Sequence, residues 1–295
     1  MLDDDRFRSL IEDRARHPER IAERARAPRR RPLLGDAGTL FLIAADHAAR
    51  GVLKAGDRAL AMSDRRELLE RILTALDQPG VDGLLGSPDV IEDLLLLDAL
   101  DEKVVIGTMN RAGLAGAVWE LDDRFTAYDA EHVETMALDG GKMLIRLDMD
   151  DPGTLATLEA SARAVTALAR RGRVALVELL PAARDGDGTL RIMKDPDSLI
   201  RAIGIGSALG ATSAWTWLKI PVVDDMERVM ASTTLPTLLL GGDPGDRAAE
   251  VFEGWRRALA IPQVRGLVAG RTLLFPPDGD VVRAVSEATA IVHGR

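Results

Sequence analysis

Eight short apolar runs, at 39–45, 81–86, 103–108, 142–148, 174–180, 214–223, 237–241 and 266–269, recur along the chain with amphipathic stretches between them. That rhythm is the strongest constraint on the fold. Each run lacks strict polar–apolar alternation, as a strand covered on both faces should. The intervening segments, among them 63–76, 129–138, 152–170, 198–209 and 247–259, carry helical spacing. Pro152 and Ser198 stand near the starts of two of them, and Asp151 is placed to cap one. Eight strand–helix units over about 250 residues match the size and order of a (β/α)8 TIM barrel of the α/β class. An open doubly wound sheet shares the local pattern, but no Gly-x-Gly-x-x-Gly follows the first strand, where a dinucleotide site would need it. The reading is a barrel over 38–295 preceded by an N-terminal helical extension over 1–37. A charged helical pattern at 5–27 is broken by Pro28 and Pro32.

Composition removes several function classes. A net charge of −9 argues against nucleic acid as a partner. Without cysteine there is no disulfide, thiolate metal site or thiol nucleophile. His17, His47, His132 and His293 show no metal-ligand spacing, so neither a metal nor another cofactor is expected. No apolar stretch has the length of a membrane span and the N-terminus is charged, so a cytoplasmic protein acting on a small molecule is expected. The arginine-rich segment 24–31 reads as the end of a surface helix and a linker; a solvated face is the first reading and contact with a substrate phosphate the second.

Only five lysines occur, at 54, 103, 142, 194 and 219. Lys219 lies inside the apolar run 214–223. A buried ammonium is costly, and burial favours the neutral amine, the nucleophile of Schiff-base chemistry. The competing reading is a snorkelling or salt-bridged lysine at a strand end. Barrel chemistry gathers at the C-terminal ends of strands. Those ends carry Asp46 and His47, Asn110 and Arg111, then Lys142, Arg146 and Asp148. Glu178 and Lys219 follow, then Gly241, Gly242 and Asp243, and finally Gly270 and Arg271. Glu178, one strand from Lys219, is either a general acid/base or half of a structural ion pair. Lys142 either holds a neighbouring amine neutral by repulsion, binds a substrate oxygen, or is an exposed lysine at the N-terminal rim. Asp46 orients Lys219 or a substrate hydroxyl. Gly241-Gly242 and Gly270-Arg271 end the last two strands, where loop N–H groups and a helix start commonly hold phosphate, with Arg271 adding charge.

These residues together resemble the class I aldolase superfamily of deoxyribose-phosphate, tagatose-bisphosphate and archaeal-type fructose-bisphosphate aldolases. Leu218-Lys219-Ile220-Pro221 resembles its sixth-strand Schiff-base segment. Leu240-Gly241-Gly242-Asp243 resembles its seventh-strand Ser-Gly-Gly phosphate loop, with Leu240 in place of the serine. Ala269-Gly270-Arg271-Thr272 and Ala45-Asp46-His47 are similar to its eighth-strand and first-strand elements. Glu178 and Lys142 resemble the acid/base glutamate and second lysine of the tagatose-bisphosphate branch. Arg146 departs from that branch's apolar-aromatic run and points to recognition of a carboxylate or second phosphate. Leu180-Pro181 stands where the fructose-bisphosphate branch has a tyrosine.

The resemblance spans about 38–293 and implies a metal-independent lyase with Lys219, Glu178, Lys142 and Asp46 catalytic. It also implies substrate contacts from His47, Gly241, Gly242, Asp243, Gly270 and Arg271, and a homo-oligomer; Asn110 and Arg111, by their strand-end position, and Arg146, by its departure from the family pattern, are further candidate substrate contacts. Within the superfamily the chain looks most like an actinobacterial branch associated with inositol catabolism. That implies cleavage of 2-deoxy-5-keto-gluconate 6-phosphate to dihydroxyacetone phosphate and malonate semialdehyde. A transaldolase- or thiolase-like carbon transferase and a non-catalytic sugar-phosphate-binding barrel are the alternatives.

Overall fold

A computed structural model describes residues 2–111, 114, 116–242 and 248–294. Two helices, α1 (Asp4–Arg16) and α2 (Glu19–Arg26), precede β1 (Leu40–Ala45). There follow α3 (Arg65–Leu76), β2 (Gly83–Gly86), α4 (Pro88–Leu96), β3 (Val104–Thr108), α5 (Ala130–Thr135), β4 (Gly140–Leu147), α6 (Gly153–Ala169) and β5 (Val174–Arg184). After the short β6 (Leu190–Ile192) come α7 (Pro196–Ser207), β7 (Thr216–Ile220), α8 (Met226–Met230), β8 (Thr237–Leu240) and α9 (Ala248–Ala258). The chain ends with β9 (Val264–Ala269), α10 (Arg271–Leu274) and α11 (Val281–His293).

Eight parallel strands run in the order β4-β3-β2-β1-β9-β8-β7-β5, and pairing of β5 with β4 closes the ring. This is the (β/α)8 barrel that the eight apolar runs predict. The sixth barrel strand is β7, because β6 only pairs antiparallel with the outer end of β5. That hairpin differs from the sequence reading, which ends the fifth strand near Leu180. Pro181 has no N–H to give a ladder, but its carbonyl accepts from Met193 N at 2.8 Å, and the strand continues through it. The turn at Asp185-Gly186-Asp187-Gly188 carries the hairpin signal.

Alternation with a period of two sorts the strand side chains. Leu40, Leu42 and Ala44 of β1 share an inner cluster with Leu85, Val104, Ile106, Val174, Leu176, Trp217, Leu238 and Val268. The other faces pack under the helices in a second, larger cluster. Fully burying one such side chain stabilises by roughly 1.5–3 kcal/mol, and every barrel strand but β4 places apolar side chains in both clusters. Advancing two residues from Ala44, Ile106, Leu176 and Trp217 gives Asp46, Thr108, Glu178 and Lys219. The apolar interior therefore ends in a polar layer at the C-terminal mouth.

The N-terminal segment belongs to the same core. Leu10 and Ala25 are buried in the outer cluster, and Arg14 bridges to Asp93 at 2.5 Å and Glu92 at 3.2 Å. The helical pattern read over 5–27 is two helices, because Pro18 interrupts it after His17. The basic run is largely taken up by ion pairs. Arg24 meets Asp98 at 2.7 Å, Arg29 meets Asp101 at 2.8 Å, and Arg31 pairs with Asp82. Asp82 also accepts from Phe41 N at 2.7 Å near the start of β1, so this part of the run lies at the N-terminal end of the barrel, away from the polar mouth. Leu33 and Leu34 pack against the inner cluster at that same end.

Ring closure between β9 and β1 needs Gly266. Its φ is +146°, and a Cβ there would lie 1.8 Å from the Leu40 carbonyl oxygen. Gly266→Ala is expected to destabilise the fold by at least about 2 kcal/mol, the scale of a strained backbone position that meets a fixed carbonyl. Urea unfolding monitored by tryptophan fluorescence measures it, and an unchanged midpoint would refute this role.

Candidate active site

Register on adjacent strands brings the principal pair together. Glu178 of β5 is the direct partner of Lys219 on β7, and both side chains point into the barrel. Lys219 Nζ lies 3.0 Å from Glu178 Oε1, and Lys142 Nζ lies 2.8 Å from Glu178 Oε2. Lys142 then reaches Asp46 Oδ2 at 2.9 Å. The result is a line of alternating charge, Lys219–Glu178–Lys142–Asp46, with all four residues at most 5% exposed. Thr108 Oγ1 donates to Asp46 Oδ2 at 3.4 Å.

Lys142 is not at the N-terminal rim. β4 begins two residues earlier than the apolar run suggests, at Gly140. The lysine therefore falls within the strand and faces the interior.

The electrostatics of the line are unequal along its length. Removing an ion from water costs several kcal/mol even after relaxation, whereas one opposite charge at about 4 Å returns roughly 4 kcal/mol at an effective dielectric of 20. Glu178 and Lys142 each touch two counter-ions. Lys219 touches one, so it is the least compensated ion in the line. Burial pushes its pKa down, and repulsion from Lys142 adds to that against the pull of Glu178 and Asp46. Burial would raise the Glu178 carboxyl, but Lys142 and Lys219 outweigh it and hold the pKa at about 2. Asp46 is likewise held well below the carboxylate range. Burial opposes this, and Lys142, Arg50, His47 and Lys219 together overcome it.

His47 is buried, and burial above all keeps its pKa well below that of an ordinary histidine, with Arg50, Arg271 and Lys219 acting in the same direction. Its ring lies against Gly270, where a Cβ would meet the Ala44 carbonyl at 2.3 Å and His47 Cε1 at 2.6 Å. A glycine is therefore required for the histidine to sit between the β1 and β9 ends. Gly241 follows β8 and packs on Ala269. Gly242 adopts φ +73°, and its carbonyl accepts from Thr272 Oγ1 at 3.2 Å. The two glycine loops thus meet, with Arg271 at the start of α10 reaching the Lys54 carbonyl at 3.4 Å. Asp243 lies outside the described residues.

Other predicted residues are engaged elsewhere. Both ends of the Asn110 amide are taken by β4, with Nδ2 donating to Leu144 O at 2.7 Å and Oδ1 accepting from Leu144 N at 2.8 Å. Arg111 Nε donates to Thr126 Oγ1 at 2.9 Å. It lines a cleft of about 350 Å³ with Trp119 and Arg124 in the loop between β3 and α5, and none of the Lys219 cluster lines that cleft. Arg146 pairs with Glu120, both largely buried. Thr108, Arg50 and Glu120 are absent from the sequence reading. Thr108 follows Ile106 by two residues and shares its inward face, a signal available from the alternation alone. Among the described residues, no group of three or more His, Asp or Glu side chains is placed to hold a metal ion, and no helix is long and apolar enough to cross a membrane.

The fold is a (β/α)8 barrel with a line of buried ions at its C-terminal mouth. The family model described as Cgl0159-like matches residues 38–289, and the chain belongs to that family. The crystal structure of Cgl0159 from Corynebacterium glutamicum is 46% identical and aligns over 99% of this chain and 98% of that one, with a TM-score of 0.96. The fold is shared at low identity with fructose-bisphosphate aldolases. That of Slackia heliotrinireducens is 17% identical over 96% of this chain and 87% of its own, with a TM-score of 0.67. An archaeal fructose-1,6-bisphosphate aldolase, solved with its catalytic lysine covalently bound to a carbinolamine intermediate, is 14% identical over 93% of this chain and 100% of its own, with a TM-score of 0.65. No curated protein sequence matches the chain.

Lys142→Met leaves Glu178 and Asp46 buried without the cation between them, and a loss of about 3–5 kcal/mol in stability is expected. The pH dependence follows from the same geometry. Glu178 has a folded pKa of about 2, below its unfolded value, so its contribution is complete above that unfolded value near 4.3 and is lost as pH falls toward 2. Stability measured from pH 6 to pH 3 should fall less steeply in Glu178→Gln than in the wild type. Parallel acid limbs would refute the assignment.

Proposed function

We propose that the protein is a class I aldolase, cleaving a carbon–carbon bond of a phosphorylated keto-sugar or keto-sugar acid through a Schiff base on Lys219. The observation that carries this reading is the buried Lys219 amine at the barrel mouth, held against one carboxylate and repelled by a second ammonium. In its neutral form Lys219 Nζ adds to the substrate ketone carbon, giving a carbinolamine that loses water to form a protonated imine. The iminium accepts the electron pair of the adjacent carbon–carbon bond and becomes an enamine. The proton of the hydroxyl on the departing carbon passes to a base, and the aldehyde leaves. Glu178 suits that role, because among the described residues its Oε2 has no aligned hydrogen-bond donor although Lys142 is close. Protonation of the enamine and hydrolysis of the imine then release the ketone and restore Lys219.

Asp46 contacts Lys142 rather than Lys219, and it attracts the Lys219 ammonium only from a longer range. Among the described residues its Oδ1 accepts no hydrogen bond, and it suits a substrate hydroxyl. The loops at 241–242 and 270–271 are the proposed phosphate site, supported by their close approach and by Arg271 at a helix start. The narrower reading, cleavage of 2-deoxy-5-keto-gluconate 6-phosphate to dihydroxyacetone phosphate and malonate semialdehyde, is supported by the branch-level resemblance and by the arginines around the mouth.

Incubation with dihydroxyacetone phosphate and borohydride is expected to leave one reduced adduct on the peptide containing Lys219, seen by intact mass and peptide mapping. Lys219→Met should lose the adduct and at least about 10³-fold in lyase rate, the scale on which covalent catalysis depends on its nucleophile. Full activity in Lys219→Arg would refute the mechanism. A panel of keto-sugar phosphates including the keto-gluconate tests the substrate.

A further inference from the structure

Arg50 ends the 3-10 turn that follows Asp46 and His47, and its side chain is 11% exposed. A guanidinium carries five N–H donors in a rigid fork, and burying one without hydrogen bonds is costly. Among the described residues the side chain of Arg50 makes no hydrogen bond. Its nearest anion is Asp46 Oδ2, 4.0 Å from Nε, and that oxygen already serves Lys142 and Thr108. The Nε is buried and unsatisfied. Arg146, at the mouth end of β4, has the same defect at Nε although its Nη1 pairs with Glu120. The two guanidiniums are close enough for Arg50 to help push the Arg146 pKa down, after burial and against Glu120. Arg50 thus stands beside the ion line as a third cation, with Lys142 and Lys219, against the two anions of that line, Asp46 and Glu178.

Ring order says which part of a substrate meets these arginines. The glycine loops follow β8 and β9, and Lys219 is on β7. Arg50 stands over β1 and Arg146 on β4, at the two ends of the arc β1-β2-β3-β4 that carries neither glycine loop. A substrate with its phosphate at the glycine loops and its ketone on Lys219 extends its remaining carbons toward that arc. We propose that Arg50, with Arg146 across the mouth, recognises an anionic group on the aldehyde half of the substrate, a carboxylate or a second phosphate. This rests on the lyase reading above, and it gives the released aldehyde an acid group.

The test runs the reaction in the condensation direction. Dihydroxyacetone phosphate is the donor; the acceptors are glyceraldehyde (neutral), malonate semialdehyde (a carboxylate) and glyceraldehyde 3-phosphate (a phosphate). One anionic acceptor should exceed glyceraldehyde in kcat/KM by at least about 10-fold, and Arg50→Gln should reduce that preference at least about 10-fold, mainly through KM, as loss of a charge-assisted contact to substrate requires. Arg50→Lys, which keeps the charge without the fork, should lose part of the preference and stands in if the glutamine variant does not fold. An unchanged preference in the folded variants overturns the inference, and the favoured anion identifies the acid group. If the wild type condenses no acceptor, the lyase reading fails by itself. Calorimetric binding of malonate and of inorganic phosphate then decides: Arg50-dependent affinity for either supports the anion site, and equal affinity in wild type and Arg50→Lys overturns it.

Discussion

Four ions placed in a row inside a protein hold one another in place, and the mouth of this barrel depends on that arrangement. The Lys219–Glu178 contact exists because β5 and β7 are neighbours in register, and Lys142 follows because β4 lies on the other side of β5. Removing either central member would strand the rest, since a buried charge without its partner costs more than the pair gains. The end position is different. With one counter-ion, Lys219 can shed its proton while each of the other three members still touches an opposite charge, the two carboxylates sharing Lys142. The same arrangement thus stabilises the mouth and leaves one of its two amines less compensated than the other.

Most of the architecture was legible in the chain because barrel strands are buried on both sides and read as unbroken apolar runs. All eight runs are barrel strands. The β5–β6 hairpin was not, because Pro181 argues locally against a strand, whereas the observed strand uses only its carbonyl. The break at Pro18 was passed over because charged residues on both sides keep the same helical spacing.

The site divides along similar lines. Lys219, Glu178 and Lys142 stand out because a charge within an apolar run is a local signal. What the chain could not convey is direction and partnership. Asp46 faces Lys142 rather than Lys219, Asn110 spends its amide on the β4 backbone, and Arg146 is paired with Glu120, a residue in a long irregular loop. Such pairings depend on loop paths that no periodicity encodes. Arg50 was passed over for a related reason: an arginine after a strand end looks like an ordinary surface residue until its burial is known.

Leu33 and Leu34, far from the mouth in the barrel, close its opposite end. Below the ion line the interior is filled with Leu, Val, Ile, Ala and Trp side chains, and these two leucines pack against that cluster. Water reaching the amines from beneath would raise the local dielectric, weaken each ion contact and remove the desolvation that lowers the Lys219 pKa. Two leucines of the linker ahead of the first strand thus add apolar cover beneath the ions, and apolar surroundings of that kind are what keep the dielectric around a buried amine low.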